Sequence, residues 1–272
     1  MTVAYDWAGR VGDTWADEWL RTDLSFANLS PQLDAAILAA APETGQAVDI
    51  GCGAGGTALA VAAARPSLSI LGIDLSRNLV ETAQGRASAY PNVRFEVGDA
   101  SRLDGIEANL LFSRHGVMFF DDPVAAFARL RQAATPDARL IFSCFRDTSF
   151  NPWVSETVSA VTGASPGKSG TSPGPFAFAD PDHVHSILRA SSWAGDARAV
   201  DYAYRAGVGA TAVDEALAFF SRIGPAAAQL RELDGAARQA GRERLRAVLT
   251  ARLRNDAVDF PASAWIWSCR PA

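Results

Sequence analysis

The stretch VDIGCGAGG, residues 48–56, constrains this chain more than any other. A short apolar run, AVDI, enters a turn holding Gly51, Gly53, Gly55 and Gly56, and an alanine-rich segment, TALAVAAARP, leaves it. Gly51, Gly53 and Gly56 have the spacing G-x-G-x-x-G of a strand–turn–helix unit whose backbone closes on a ligand. Such a unit belongs to a parallel sheet, so strands and helices should alternate after it, and they do. SILGIDLS (69–76), the strand within PNVRFEVGDA, NLLFS (109–113) and ARLIFSCF (138–145) read as buried strands. RNLVETAQGRASAY and DPVAAFARLRQAA read as the helices between them.

Before the turn, residues 14–41 carry helical apolar spacing, with Ser30 before Pro31 as a predicted cap. Asp122 before Pro123 and Asp180 before Pro181 predict two further helix starts. After residue 145 the alternation breaks. Residues 146–179, including GASPGKSGTSPGPF, are rich in Pro, Gly and Ser and read as a loop or cover. ARAVDYAYRA is a sixth strand, residues 211–255 are one or two charged helices, and AWIWSC (264–269) is a seventh strand. The expected fold is therefore α/β, with a seven-stranded sheet and helices on both faces. The expectation is a single domain over 1–272: a helical cover at 1–44, a ligand-binding core at 45–145, and the remaining strands with inserted cover segments at 146–272.

The formal charge of −5 argues against general nucleic-acid binding, which needs a basic face. Cys52, Cys144 and Cys269 are odd in number and widely spaced, with no C-x-x-C. That excludes a disulfide framework or zinc site and fits a reducing cytoplasm. No metal is expected. MTVAYDWAGRVGDTW has no apolar signal-peptide core, and no apolar run approaches the ~18 residues of a membrane span. Lys168 is the single lysine.

A glycine turn alone admits two kinds of cofactor, a nicotinamide dinucleotide or S-adenosylmethionine (SAM). A dinucleotide places a pyrophosphate on the turn, where amides and the helix N-terminus favour an anion. Asp49, two residues before Gly51, would repel it, whereas the ammonium of a SAM amino-acid tail is attracted. Asp74 closes the second strand and suits two ribose hydroxyls, which both cofactors possess. Asp99 closes the third, where it suits an adenine amino group, with the Ala100 amide facing the ring. The ordered set Asp49, glycines, Asp74, Asp99 favours SAM.

At these residues the chain resembles the class I SAM-dependent methyltransferases. VDIGCGAGG is similar to the first motif of that family, GIDLS to the second and VGDA to the third. FSRHGVMFF, NPW (151–153), GPF (174–176), the opening Trp7-x-Gly9-x-x-Gly12-x-x-Trp15 and the closing PASAWIWSCRP resemble a bacterial small-molecule subgroup. The resemblance implies strand order 3-2-1-4-5-7-6 with strand seven antiparallel, SAM as cofactor and S-adenosylhomocysteine (SAH) as its product. It also implies in-line methyl transfer to a small organic acceptor. The alternatives are an NAD-dependent oxidoreductase on the same sheet, or a SAM-binding module without methyl transfer.

The expected cofactor contacts are Asp49, Gly51, Gly53, Gly55, Asp74, Leu75, Asp99, Ala100, Ser113 and Trp15. Trp7, Tyr5 and Trp15 have the aromatic character to meet a sulfonium. The catalytic candidates are His115, a neutral imidazole able to take a proton from the acceptor, and Arg114, able to orient an anion. Arg114 is otherwise expected to pair with Asp121 or Asp122. Cys52 reads as a packing residue, and His183 and His185, two apart on a helix, as surface or packing groups. Leu217, Phe219, Phe220 and Ile223 are expected to line the acceptor pocket or form a homodimer contact.

Overall fold

The computed structural model describes residues 7–165, 167 and 170–272. Tyr5 and Lys168 lie outside the described residues. The strand entering the glycine turn, β1 (Gly45–Ile50), is buried over its last four residues. It lies between β2 (Leu68–Asp74) and β4 (Ala108–Arg114), parallel to both, with Asp49 opposite Gly72 on one side and Phe112 on the other. β3 (Val93–Val97) pairs outside β2, and β5 (Ala134–Phe145) outside β4. Strand order thus reverses beside β1, which opens a crevice at the strands' C-terminal ends.

The full order is β3-β2-β1-β4-β5-β8-β6, with β6 spanning Trp193–Val208 and β8 spanning Ala257–Pro271. β8 runs antiparallel to both β5 and β6. This is the expected order, with one addition. A two-residue strand, β7 (Leu253–Arg254), pairs with the start of β8, so the sheet has eight strands. β6 and β8 are also longer than their apolar centres suggest. Antiparallel pairing carries them as one ribbon, from Trp193↔Pro271 to Val208↔Ala257.

The expected helix over 14–41 is three helices, α1 (Arg10–Asp17), α2 (Trp19–Phe26) and α3 (Ser30–Ala40). Ser30 is not a cap: Leu29 holds the cap position, and the Ser30 hydroxyl accepts from Arg114 at 3.4 Å. Asp122 and Asp180 do cap their helices, accepting from the Ala125 and Asp182 amides at 2.9 Å each. They start α6 (Pro123–Gln132) and α8 (Pro181–Ala190); α4 (Gly56–Ala64) and α5 (Arg77–Arg86) precede them.

Residues 146–179 are not all loop. α7 (Pro152–Thr162) buries Trp153, Val154, Val158 and Val161 on one face, and the Pro/Gly/Ser bias is confined to the segment after this helix. Residues 211–255 form three helices, α9 (Ala212–Arg222), α10 (Gly224–Glu232) and α11 (Gly235–Arg252). α7, α10 and α11 pack together, and α2 and α9 both pack on β6. His183 and His185 pack against Phe178 and Trp267, with ring centroids 6.4 and 4.9 Å apart. No described helix is long and apolar enough to cross a membrane.

Candidate active site

A cavity of about 470 Å³ opens over the C-terminal ends of β1, β2, β3 and β4, under α1 and α2. Its floor is the glycine turn. Gly51, Gly53 and Gly55 have φ of 65°, 54° and 81°, a region costly for side chains. The three glycines divide the work. Gly51 and Gly53 line the cavity, and a Cβ on Gly53 would meet nothing within 4 Å. Gly55 does not line it. It starts α4, and a Cβ there would come within 2.7 Å of Phe95. The expected ligand contact at Gly55 is therefore corrected to a packing role beneath the turn.

The three strand-end acids differ in environment. Asp49 is 1% exposed, and its Oδ2 has no hydrogen-bond partner. Burial pushes its pKa up to about 7, against the pull of the Arg114 charge. A buried carboxylate oxygen without a partner, on a cavity-lining residue, calls for a cation. Asp74 accepts from the Gly53 and Ser76 amides, both at 2.9 Å. Burial raises its pKa while those amides work in the opposite direction. The carboxylate pins the turn and still lines the cavity with lone pairs left for hydroxyls. Asp99 is more exposed, accepts from the Ser101 amide at 2.9 Å, and lines the cavity beside Ala100.

Leu75, Trp15 and Trp7 also form the wall, Trp7 lying 5.6 Å from Trp15 and 4.9 Å from Phe119 between ring centroids. Ser113 does not. It is fully buried; its hydroxyl donates to the Ile50 carbonyl at 2.6 Å and accepts from the Gly116 amide at 3.1 Å. The expected cofactor contact there is corrected to a clasp between the ends of β1 and β4. Cys52 is buried in the wall and burial raises its pKa, so it is a packing thiol.

Arg114 pairs with neither Asp121 nor Asp122. It donates to Asp23 of α2 at 2.6 Å, and Asp23 also takes Arg86 at 2.9 Å. Arg86 lies over the Trp19 ring at 4.2 Å and donates to the Ala54 carbonyl of the turn at 2.6 Å. Asp23 thus fastens the cover helix to the glycine turn. The sequence carries no sign of this: one acid in a mixed helical stretch has no distinguishing pattern.

His115 follows β4 in a left-handed conformation, φ 59°, uncommon outside glycine and a mark of local constraint. Its Nδ1 is 2.8 Å from the Ser143 hydroxyl, and its buried Nε2 has no partner. The ring sits between Phe26 and Phe145, at 4.7 and 4.3 Å between centroids. Burial, then the Arg114 charge, push its pKa down to about 3, so it is neutral at ordinary pH. Around it the cavity is aromatic: Phe26, Phe145, Trp153, Tyr204, Phe219 and Phe220. Phe219, Phe220 and Ile223 line this end and Leu217 is buried beside them, so none is left outside for a dimer contact. Among the described residues, no cluster of three or more His, Cys, Asp or Glu is placed to hold a metal ion.

The crevice lies at the C-terminal ends of β1, β2 and β3, where Asp49, Asp74 and Asp99 line it together. Residues 47–137 match a family model described as a methyltransferase domain. The chain is 32% identical over 113 residues to a malonyl-[acyl-carrier protein] O-methyltransferase of Halalkalibacterium halodurans, covering 38% of this chain and 40% of that protein. It is 35% identical over 91 residues to a trans-aconitate 2-methyltransferase of Deinococcus radiodurans, covering 34% of each. These matches span well under half of both relatives. In fold it is similar to the YcgJ protein of Bacillus subtilis, with a TM-score of 0.56 at 18% identity over 88% of this chain and 98% of that one. Residues 47–137, the part of the chain that forms β1 to β4 and the start of β5, are thus similar to a methyltransferase domain.

Proposed function

We propose that this protein transfers a methyl group from SAM to a small organic acceptor. The observation that carries this reading is the partnerless, buried Oδ2 of Asp49 beside the glycine turn. It fits the ammonium of the SAM tail and opposes a pyrophosphate. Asp74 would hold the ribose hydroxyls, and Asp99 with Ala100 the adenine edge. SAM, when bound, would supply an activated methyl: attack in line would break the sulfur–carbon bond, form the acceptor–carbon bond, leave the neutral thioether of SAH and release the acceptor's proton to water. The chain's own task is then alignment and exclusion of water. α1 and α2 roof the cofactor end, and the aromatic end beyond His115 receives the acceptor. A cleft of this size suits a small molecule better than a nucleic acid. Three buried free thiols suit a reducing compartment such as the cytoplasm.

The test is mass spectrometry of ligands released from the purified, denatured protein, with calorimetric titration of SAM and of NADH. SAM or SAH is expected in the released fraction, with SAM binding lost in Asp74→Ala. Binding of NADH in place of SAM would overturn the reading.

A further inference from the structure

His115 invites the role of a proton acceptor, but its hydrogen bonding points the other way. Among the described residues, His115 Nδ1 is the sole hydrogen-bond partner of the Ser143 hydroxyl. Two arrangements satisfy that contact. If Nδ1 carries the proton and donates to Ser143, the serine hydrogen is left with no acceptor. Ser143 is fully buried on β5 and does not line the cavity, so no ligand could relieve it. An unmet buried donor costs roughly 1–3 kcal/mol. If the serine donates to Nδ1, the imidazole proton sits on Nε2. The one unmet hydrogen then lies on a residue that does line the cavity. The second arrangement leaves its deficit on a ring at the cavity wall rather than inside the sheet, with Nε2 buried there against whatever seats over the ring.

We infer that His115 is a fixed N–H donor that selects an uncharged, flat, aromatic acceptor molecule through an oxygen facing Nε2. This rests on the reading above only in placing the methyl acceptor at this end of the cavity. The box around the ring supports a flat occupant. Trp153 stacks on Tyr204 at 4.8 Å with 6° between planes, and Phe145 packs against both His115 and Trp153. Charge supports a neutral one. Of the arginines lining the cavity, Arg114 is committed to Asp23, and Arg129 lies on α6, which contributes no ring to this box. A carboxylate seated against His115 would meet no free cation. The very low pKa of His115 agrees, because an imidazolium formed by proton abstraction would be buried beside Arg114.

Two measurements test this. The chain has three histidines, so nitrogen NMR of protein labelled with ¹⁵N-histidine resolves the His115 tautomer, with His115→Gln supplying the assignment. A neutral Nε2–H form that does not titrate across the neutral range is expected. An Nδ1–H form, or titration near neutrality, overturns the proposal. Binding is then measured calorimetrically with SAH present, using 2-acetylnaphthalene, 2-ethylnaphthalene and 2-naphthoate. The ketone should bind about tenfold more tightly than the ethyl compound, one hydrogen bond's worth. His115→Phe should abolish that difference, and His115→Gln, which keeps an N–H but is no base, should retain most of it. Equal binding of ketone and ethyl compound, preference for the carboxylate, or no binding of any naphthalene would overturn it. Neither readout needs methyl transfer. Failure of SAM to bind would strike the proposed function and leave the tautomer result standing.

Discussion

At the scale of single residues, Asp49 gives the site a pH signature. An ordinary aspartate has a pKa near 3.8 and this one is raised to about 7, so the folded protein holds a proton that the unfolded chain releases. The stability this contributes is present below the ordinary value and is lost as pH rises through 7. Asp49→Asn removes the penalty. The ligand-free variant should be more stable than the parent at pH 8, by up to about 4 kcal/mol, and the gap should narrow below pH 7 and close only near pH 4. Denaturant titrations across that range check this. SAM binding should show the mirror image, since the ammonium needs the ionised acid. Affinity should rise by about an order of magnitude between pH 5.5 and 7, with proton release on binding, and collapse in Asp49→Asn. A flat affinity profile would remove Asp49 from the cofactor contact. The positions of the three acids were legible in the sequence, because Asp49, Asp74 and Asp99 lie within two residues of the ends of β1, β2 and β3, and the apolar runs announce those strands. Gly55 and Ser113 were misassigned for a shared reason. Adjacency to a motif does not say which side of the turn a residue faces, and a Phe95 ring or an Ile50 carbonyl supplied from elsewhere in the chain decides it.

At the scale of elements, α2 is the piece that links the two ends of the cavity. Toward the turn it is held by Asp23 with Arg86 and Arg114. Toward α9 it is held by Arg21 with Glu215 at 2.6 Å, and by Glu18 with Arg222 at 3.0 Å at its N-terminal boundary. Exposed ion pairs contribute little, but Asp23 serves two partly buried guanidinium groups at once, and losing it leaves both unpaired. Asp23→Asn should therefore fold, lose roughly 1–3 kcal/mol of stability, and expose residues 7–29 to faster cleavage in limited proteolysis. SAM affinity should fall by about tenfold, and saturating SAM should restore protection. Cleavage at the parent rate would show that the cover is held by its packing alone. The division of the cover into three helices was not legible. Apolar spacing continues through Trp15 and Trp19, while Glu18 at the break is buried, 2% exposed, and is held both by Arg21 one turn on and by Arg222 far along the chain.

At the scale of the whole molecule, the cavity joins a half that the chain builds locally to one that it builds from afar. The cofactor end comes from the consecutive strand ends β1 to β4, which is why a linear motif reports it. The acceptor end takes Phe26 from α2, His115 from the end of β4, Phe145 from β5, Trp153 from α7, Tyr204 from β6 and Phe220 from α9. No window of sequence holds more than two of these rings, so periodicity reads each as ordinary core. What assembles them is the β6–β8 ribbon, which runs past the parallel sheet and carries the buried Tyr204 to the cavity wall, with α2 and α9 packed on it. This division predicts separable losses. Trp153 is 4% exposed, stacks on Tyr204, and donates from its indole to Asn151 at 3.4 Å. Trp153→Ala should cost about 3 kcal/mol or more in a denaturant titration, as large aromatic truncations do. In calorimetry its SAM affinity should stay within about twofold of the parent, because the two ends share no direct contact through this ring. Binding of the naphthalene ketone should weaken by at least about tenfold, because the stacking face is gone. Parallel loss of both ligands would mean that the rings form one cooperative wall and that the acceptor end cannot be varied without disturbing the cofactor.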